Sequence, residues 1–399
     1  MQIPEYPGDM NKDRYLSPYV LEDLEEKMVF IGGARQVGKT TFAVDFIGDR
    51  LQPAAYFNWD NREDRQKIRS SDWPGTANLL IFDEIHKYKG WKGFIKGEYD
   101  KLKSRYKFLV TGSARLDVYR KGGDSLQGRY HYFRLHPFSL AEMIGKSGLP
   151  KIFEEIALDS RSYPEETDAL LAFGGFPEPL LKGTVKFLRR WHTEKVERLF
   201  REEITAIEQI RDLGNMKILS DLLPARVGSL LSANALREDL EISHKTVSRW
   251  LTILEVFYYH FRIHPFARSE VRSIKKEPKL YLWDWSEVED PGNRFENMIA
   301  GHLLKFCHLL HDADGHRTEL HFLRTIEKKE VDFLVTIDRK PWFAVEAKLT
   351  DREISPALRY FKDRLKIPFV YQVLRESGIH RYRDGIHVVS ADRFLAGLV

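Results

Sequence analysis

One stretch restricts the possible folds of this chain more than any other. Gly33-Ala34-Arg35-Gln36-Val37-Gly38-Lys39-Thr40 is a G-x-x-x-x-G-K-T pattern. The apolar run Met28 to Ile31 before it reads as a strand. Thr41-Phe42-Ala43-Val44-Asp45-Phe46-Ile47 after it reads as a helix. Gly33 and Gly38 let the backbone turn tightly, so that the N–H groups of Ala34, Arg35, Gln36, Val37 and Thr41 can approach phosphate oxygens. The helix opening at Lys39 adds the positive end of its dipole at the same place. Lys39 reaches the β- and γ-phosphates, and Thr40 is a ligand for Mg²⁺. The expected cofactors are ATP and Mg²⁺.

Bulk properties narrow the remainder by exclusion. A chain of 399 residues is long enough for two to four domains, and 43% hydrophobic with 31% charged residues is ordinary for a soluble protein. No apolar run approaches the roughly 20 residues that span a bilayer, and the start Met1-Gln2-Ile3-Pro4-Glu5-Tyr6 has no signal-peptide pattern. The one cysteine, Cys307, excludes an internal disulfide and a cysteine metal cluster. These features favour a cytoplasmic protein with no membrane partner. A formal charge of +4 is too small to argue for nucleic acid by itself.

Ser17-Pro18 is expected to cap a helix running to about Lys27. Ala54 to Trp59 reads as a second strand and Arg62 to Arg69 as a solvated helix. Leu79-Leu80-Ile81-Phe82-Asp83-Glu84 is a continuous apolar run ending in two carboxylates, as in a strand of a parallel sheet buried on both faces. Ligands bind at the carboxyl ends of such strands. Asp83 is placed to hold Mg²⁺ and Glu84 to orient or deprotonate the attacking water. Phe108 to Ser113 is a further strand ending in hydroxyls, with Ser113 or Thr111 as γ-phosphate sensor, or else a plain strand-end turn.

Together with the phosphate loop, Ile81-Phe82-Asp83-Glu84-Ile85-His86-Lys87 and Thr111-Gly112-Ser113-Ala114 resemble a prokaryotic family of AAA+-type ATP-binding proteins. In that family the ATPase precedes a carboxyl-terminal domain catalogued as of unknown function. Ala34 stands where many members have proline. Gly128-Arg129 and Leu135-His136-Pro137-Phe138-Ser139-Leu140-Ala141-Glu142 look like the next family segment, and Leu171 to Pro179 like another. Arg129 is either an arginine finger, in its own subunit or a neighbour's, or a structural ion pair. Arg115 is a weaker rival. A finger acting between subunits would require a homo-oligomer.

Val185 to Ile210 reads as a long helix whose aromatic stripe belongs to a core. Farther on, Asn234 to Leu240, a turn at Glu241-Ile242, and a helix capped by Ser243 form a helix-turn-helix pattern. Val247, Leu251 and Leu254 face inward. His244, Lys245, Ser248 and Arg249 face outward, as in a recognition helix. Tyr258 to Ile263 and Lys279 to Leu282 would flank a wing carrying Arg268, Arg272, Lys275 and Lys276, a basic set suited to DNA phosphates. The competing reading is a packing module between domains.

In the last part, Glu330 to Val335 and Pro341 to Lys348 read as strands, Ser355 to Leu365 as a helix, and Pro368 to Val373 as a strand containing Gln372. Glu346 and Lys348, two apart, share a face that Asp332 on a neighbouring strand can meet. Asp332 and Glu346 suit Mg²⁺ or Mn²⁺, with Glu296 from the preceding helix completing the set. Lys348 would position water or stabilise developing charge. This order of elements resembles the PD-(D/E)xK restriction-endonuclease-like superfamily, and the resemblance leaves open a domain that cleaves or one that only binds. Ala347 and Leu349-Thr350 replace residues more usual after the acidic ligand. His302, His308 and His311 near Cys307 read as packing or surface histidines.

The expected architecture is α/β: an AAA+-type P-loop parallel-sheet domain over 1–150, a helical lid or linker over 151–215, a winged helix-turn-helix over 216–285, and an α/β restriction-endonuclease-like domain over 286–399. The expected function is an ATPase whose nucleotide state alters DNA engagement. The alternatives are an ATP-gated switch with an inactive nuclease-like domain and an effector whose partner is a protein.

Overall fold

The computed structural model describes residues 13–113, 126–146, 148–205, 212–267, 276–350 and 353–399. Arg115, Arg268, Arg272 and Lys275 lie outside the described residues. The chain divides into two units. One runs to Pro137 and includes Asp312–Asp314; the other comprises Phe138–His311 and Gly315–Val399.

The first unit is built on β1 (Met28–Gly33), β2 (Ala54–Asn58), β3 (Leu79–Asp83), β4 (Lys107–Thr111) and β5 (Tyr130–Leu135), ordered β2-β3-β4-β1-β5. Every ladder is parallel. β1 and β3 are buried along their whole length, as their continuous apolar sequences require. Phe57, Phe82 and Phe108 stack in sequence across one face, with Trp73 and Tyr99 packed edge-on. The order inserts β4 between β1 and β3, so Thr111 is in register with both Ile31 and Asp83. That single residue therefore stands between the phosphate loop and the carboxylate of β3.

Local readings in this unit hold for β2, β3 and β4 within two residues. β5 was not among the expected strands. Its opening Tyr130-His131 is only half-buried, so it lacks the continuous apolar run that marks β3. The first helix, Ser17–Asp23, begins one residue before the expected proline but is capped differently. Its N-cap is Leu16, and the Ser17 hydroxyl donates to the Asp13 carboxylate instead.

The second unit holds β6 (His260–Pro265), β7 (Lys279–Leu282), β8 (Thr318–Arg324), β9 (Glu330–Ile337), β10 (Lys340–Lys348), β11 (Phe369–Leu374), β12 (His380–Arg383) and β13 (Ile386–Ser390). They form one mixed sheet, ordered β12-β13-β11-β10-β9-β8-β6-β7. The helix Pro356–Leu365 covers one face through Leu358 and Phe361, which pack with Leu334, Ala344 and Val370. From the helix Pro291–Asp314, Phe306 packs its ring near Trp342 and Phe343. The hairpin of β6 and β7, expected as a wing, joins this sheet through two register pairs, His264↔His321 and Pro265↔Phe322.

The segment Phe173-Gly174-Gly175-Phe176 has a structural explanation. Gly174 ends the helix Pro164–Phe173 with φ 77° and ψ −178°, a conformation open essentially to glycine alone. A β-carbon there would lie 2.7 Å from Asp284 Oδ1. Asp284 is buried, accepts from Trp191 Nε1 at 3.2 Å and pairs with Lys195 at 2.8 Å, so it cannot simply give way. Gly174→Ala should lower the denaturant midpoint, at a cost on the order of 1–3 kcal/mol. Urea unfolding followed by tryptophan fluorescence checks this, and an unchanged midpoint would show that the turn tolerates a side chain.

Candidate functional site

The first candidate site lies at the carboxyl ends of β1, β3 and β4. Gly33 has φ 142° and Gly38 φ 94°, and Gln36 is also left-handed at φ 61°. A β-carbon on Gly33 would stand 2.4 Å from the Leu135 carbonyl oxygen, so the loop turns where only glycine fits. Val37 and Ala34 anchor the loop inward, while Arg35, Thr40 and Thr41 are exposed. Lys39 is buried, and its Nζ donates to the carbonyls of Gly33 at 3.1 Å and Ala34 at 2.7 Å. Phosphate oxygens in the loop would compete for the same protons.

Asp83 is the centre of a hydroxyl cluster. Its Oδ2 accepts from Thr40 Oγ1 at 2.8 Å and Tyr56 OH at 2.9 Å, and its Oδ1 from Thr111 Oγ1 at 2.6 Å. Burial first, then the charge of Asp83, hold the Tyr56 phenol well above its usual range, so it remains a donor. A threonine hydroxyl and a carboxylate within hydrogen-bond distance, beside a phosphate loop, are hard oxygen donors of the kind Mg²⁺ takes. These residues fit the metal. Ser113 is buried just beyond β4, but Thr111 is the hydroxyl that touches Asp83.

Glu84 departs from expectation, and Arg129 takes the second of its two expected roles. Glu84 has φ 57°, and its carboxylate is held 3.1 Å from Lys87 and 3.5 Å from His86 Nε2. Acting on water would require that pair to open. Arg129 directly precedes β5, and its carbonyl accepts from Met28 N at the amino end of β1. The phosphate loop leaves the other end of β1, about 17 Å away at 3.3 Å per residue. Arg129 forms a two-pronged pair with Asp100, Nε at 2.8 Å and Nη2 at 3.1 Å. It is not a finger for its own subunit's loop. Sequence reasoning missed Arg14, which is buried and donates to Val37 O at 3.2 Å and His136 O at 2.6 Å. Its partners are backbone carbonyls distant in sequence, which no motif reports.

In the second unit, the helix Ala233–Leu240 ends at Glu241 with φ 53°, and Ser243 caps the helix His244–Val256 by accepting from Thr246 N. Val247, Leu251 and Leu254 are buried; His244, Lys245 and Arg249 are exposed, and Ser248 is half-buried. Lys276 is exposed in front of β7. The inward and outward faces are those the spacing predicts.

The carboxyl-terminal cluster occupies one face of the sheet. Glu346 on β10 is in register with Gln372 on β11, and Asp332 Oδ2 accepts from Ala347 N at 2.9 Å. Lys348 Nζ pairs with Glu346 Oε1 at 2.8 Å, while the buried Oε2 has no hydrogen-bond partner. Burial, and then the Asp332 charge, push Glu346 up to about 8 despite Lys348. The same two causes raise Glu296 to about 7 against the pull of Lys279. Expectation placed Glu296, Asp332 and Glu346 around a metal ion. Among the described residues no group of three metal-binding side chains is so arranged. Instead Lys279 from β7 sits 2.7 Å from Glu330, 3.3 Å from Glu296 and 3.6 Å from Asp332. Tyr281 OH donates to Glu296 Oε1 at 2.7 Å. An internal ammonium stands where a cation would be shared, so these residues do not fit the metal. The missed residues are Lys279, Tyr281 and Glu330. The alternation Lys279-x-Tyr281 is the one local sign that polar groups share a strand face.

His302 is a packing residue: Nδ1 donates to Met298 O at 2.8 Å and Nε2 accepts from Leu140 N at 3.1 Å. Among the described residues no helix is long and apolar enough to cross a membrane.

Residues 25–144 match the family described as AAA domain. Residues 164–286 and 291–394 match two domains of unknown function, DUF8612 and DUF4143. An uncharacterized protein of Methanocaldococcus jannaschii is 22% identical over 86% of this chain and 80% of its own length. An uncharacterized protein of Mycobacterium tuberculosis is 20% identical over 92% of this chain and 81% of its own. Among solved structures, the Aeropyrum pernix ORC1 protein in complex with DNA matches at 11% identity and TM-score 0.31, covering 75% of this chain and 94% of that one. The Thermotoga maritima RuvB Holliday junction branch migration motor matches at 17% identity and TM-score 0.30, covering 65% and 92%.

Thr111→Val removes one neutral donor from Asp83 without changing shape. A hydrogen bond to a charged group contributes about 1.5–3 kcal/mol, so ATP turnover should fall about tenfold to a hundredfold. Thr111→Ser should retain most of it. Phosphate release at saturating ATP is the measurement, and equal rates for Val and wild type would remove Thr111 from the site.

Proposed function

We propose that the chain is an ATP-binding P-loop ATPase whose nucleotide state alters how its carboxyl-terminal half engages DNA. The observation that carries the proposal is the convergence of Thr40, Tyr56 and Thr111 on Asp83, where β3 and β4 end beside the phosphate loop that carries Lys39. In this reading Lys39 leaves the carbonyls of Gly33 and Ala34 for the β- and γ-phosphates. Thr40 and Asp83 hold Mg²⁺, which when bound neutralises the phosphate oxygens. Glu84 deprotonates or orients the attacking water once it parts from Lys87, and that requirement makes hydrolysis slow.

The helices from Ala233 to Val256 and the hairpin of β6 and β7 are read as a winged helix. His244, Lys245, Ser248 and Arg249 would meet DNA, with Lys276 adding phosphate contact from the hairpin. Asp332, Glu346 and Lys348 are read as the remains or the resting form of a PD-(D/E)xK site. The ammonium among its carboxylates favours the second reading, an ATP-gated switch that binds DNA or a protein without cutting. A finger acting between subunits would require a homo-oligomer, and Arg129 would have to leave Asp100 to serve as one.

Lys39→Ala should abolish measurable ATP turnover and weaken binding of a fluorescent ATP analogue; undiminished turnover would sink the ATPase assignment. Arg249→Glu should weaken duplex DNA binding about tenfold at low salt, for a cost of about 1–2 kcal/mol. Fluorescence anisotropy reads this directly, and an unchanged curve would take helix His244–Val256 out of the interface.

A further inference from the structure

The acidic cluster of the second unit carries its own cation. Lys279 is 2% exposed. Burying an ammonium costs several kcal/mol unless carboxylates surround it, and Glu330, Glu296 and Asp332 do so. The Phe322 ring lies 5.8 Å from its Nζ. The lysine is fixed by its strand. Leu282, three residues on, donates to Asn297 Oδ1 and accepts from Asn297 Nδ2, both at 2.8 Å, and Tyr281 donates to Glu296. Leu280 bridges Val227 on the strand's other side. This is a built contact, unlike a surface side chain that has swung inward.

A divalent ion would need oxygens of the same carboxylates, so the two cations exclude each other. Glu346, a residue 5% exposed, has a buried Oε2 without a hydrogen-bond partner among the described residues. It is a ligand position that the ammonium leaves unused. We propose that Lys279 is an internal cation that takes the place of a divalent metal at this site and keeps one from binding. The inference rests on the nuclease-like reading of Asp332, Glu346 and Lys348. It also gives the hairpin a role. β7 pairs with β6, and β6 begins soon after the helix His244–Val256, so the strand carrying the blocking ammonium belongs to the hairpin that follows the recognition-helix candidate.

The test is Mn²⁺ titration of the full-length, nucleotide-free protein, with free Mn²⁺ read by electron paramagnetic resonance and no DNA present. The wild type should bind no Mn²⁺ that Glu346→Gln removes. Lys279→Met should gain one site per chain, at least tenfold tighter than any Glu346-dependent binding in the wild type, and Lys279→Met/Glu346→Gln should lose it. Equal Glu346-dependent binding in the wild type and Lys279→Met would overturn the proposal, as would no gain in a folded Lys279→Met. Lys279→Gln, with thermal midpoints for both, guards against a variant that does not fold. Should both unfold, the wild type decides alone: Glu346-dependent Mn²⁺ overturns the proposal and its absence supports it. DNA binding by the wild type is measured separately, so failure of the DNA reading leaves the Mn²⁺ result intact.

Discussion

Asp83 places a carboxylate at the end of a fully buried strand, and three hydroxyls make that position tolerable. They come from three elements: Thr40 from the loop helix, Tyr56 from β2 and Thr111 from β4. Each is a neutral donor. The cluster therefore stabilises the negative charge without cancelling it, and leaves it able to attract a cation. The strand order is what permits this. With β4 between β1 and β3, Thr111 faces Asp83 in register while the phosphate loop leaves β1 next to it. An order without β4 beside β3 would take Thr111 away from Asp83.

Features written in local periodicity were legible from the sequence. The glycine spacing of the loop, the apolar run into Asp83 and the inward face of helix His244–Val256 each depend on neighbours within a turn or a strand. Partners chosen across the fold were not legible. For Arg129 an ion pair was one of two expected roles, but its partner, Asp100 on the helix Trp91–Leu102, could not be named from the sequence. Lys279 was only the first residue of an expected strand, because the carboxylates around it come from a helix and a strand distant in sequence. β5 was missed because its half-buried opening breaks the run of apolar residues. In the carboxyl-terminal sheet β9, β10 and β11 were legible as strands, whereas β12, β13 and the joining of β6 were not, and strands alone could not say which cation the carboxylates meet.

The segment around Gly174 shows how such long-range choice is enforced. Asp284 is buried, which alone would raise its pKa, but Lys195 and His192 hold it down at about 2. A charge so placed needs its partners fixed. Trp191 and Lys195 come from the helix Val185–Arg198, and Trp285 Nε1 donates to Leu170 O at 2.7 Å. Trp191 of that helix is thus core, and its indole N–H is part of the reason. Gly174 is required because the chain must pass the carboxylate more closely than any side chain permits.

The two carboxylate sites of the chain use similar residues to opposite electrostatic ends. Around Asp83 the donors are hydroxyls, which bring no net charge of their own. Around Glu296, Glu330 and Asp332 an ammonium supplies positive charge from inside the fold, and attraction for an outside cation falls accordingly. The difference lies in the partner: a hydroxyl donates a hydrogen bond and keeps no net charge, whereas a lysine brings a full one. Carboxylate spacing alone therefore does not specify a metal site. What decides is whether the surrounding fold has already neutralised the charge, and in the second unit the strand that does so belongs to the hairpin beside the helix-turn-helix.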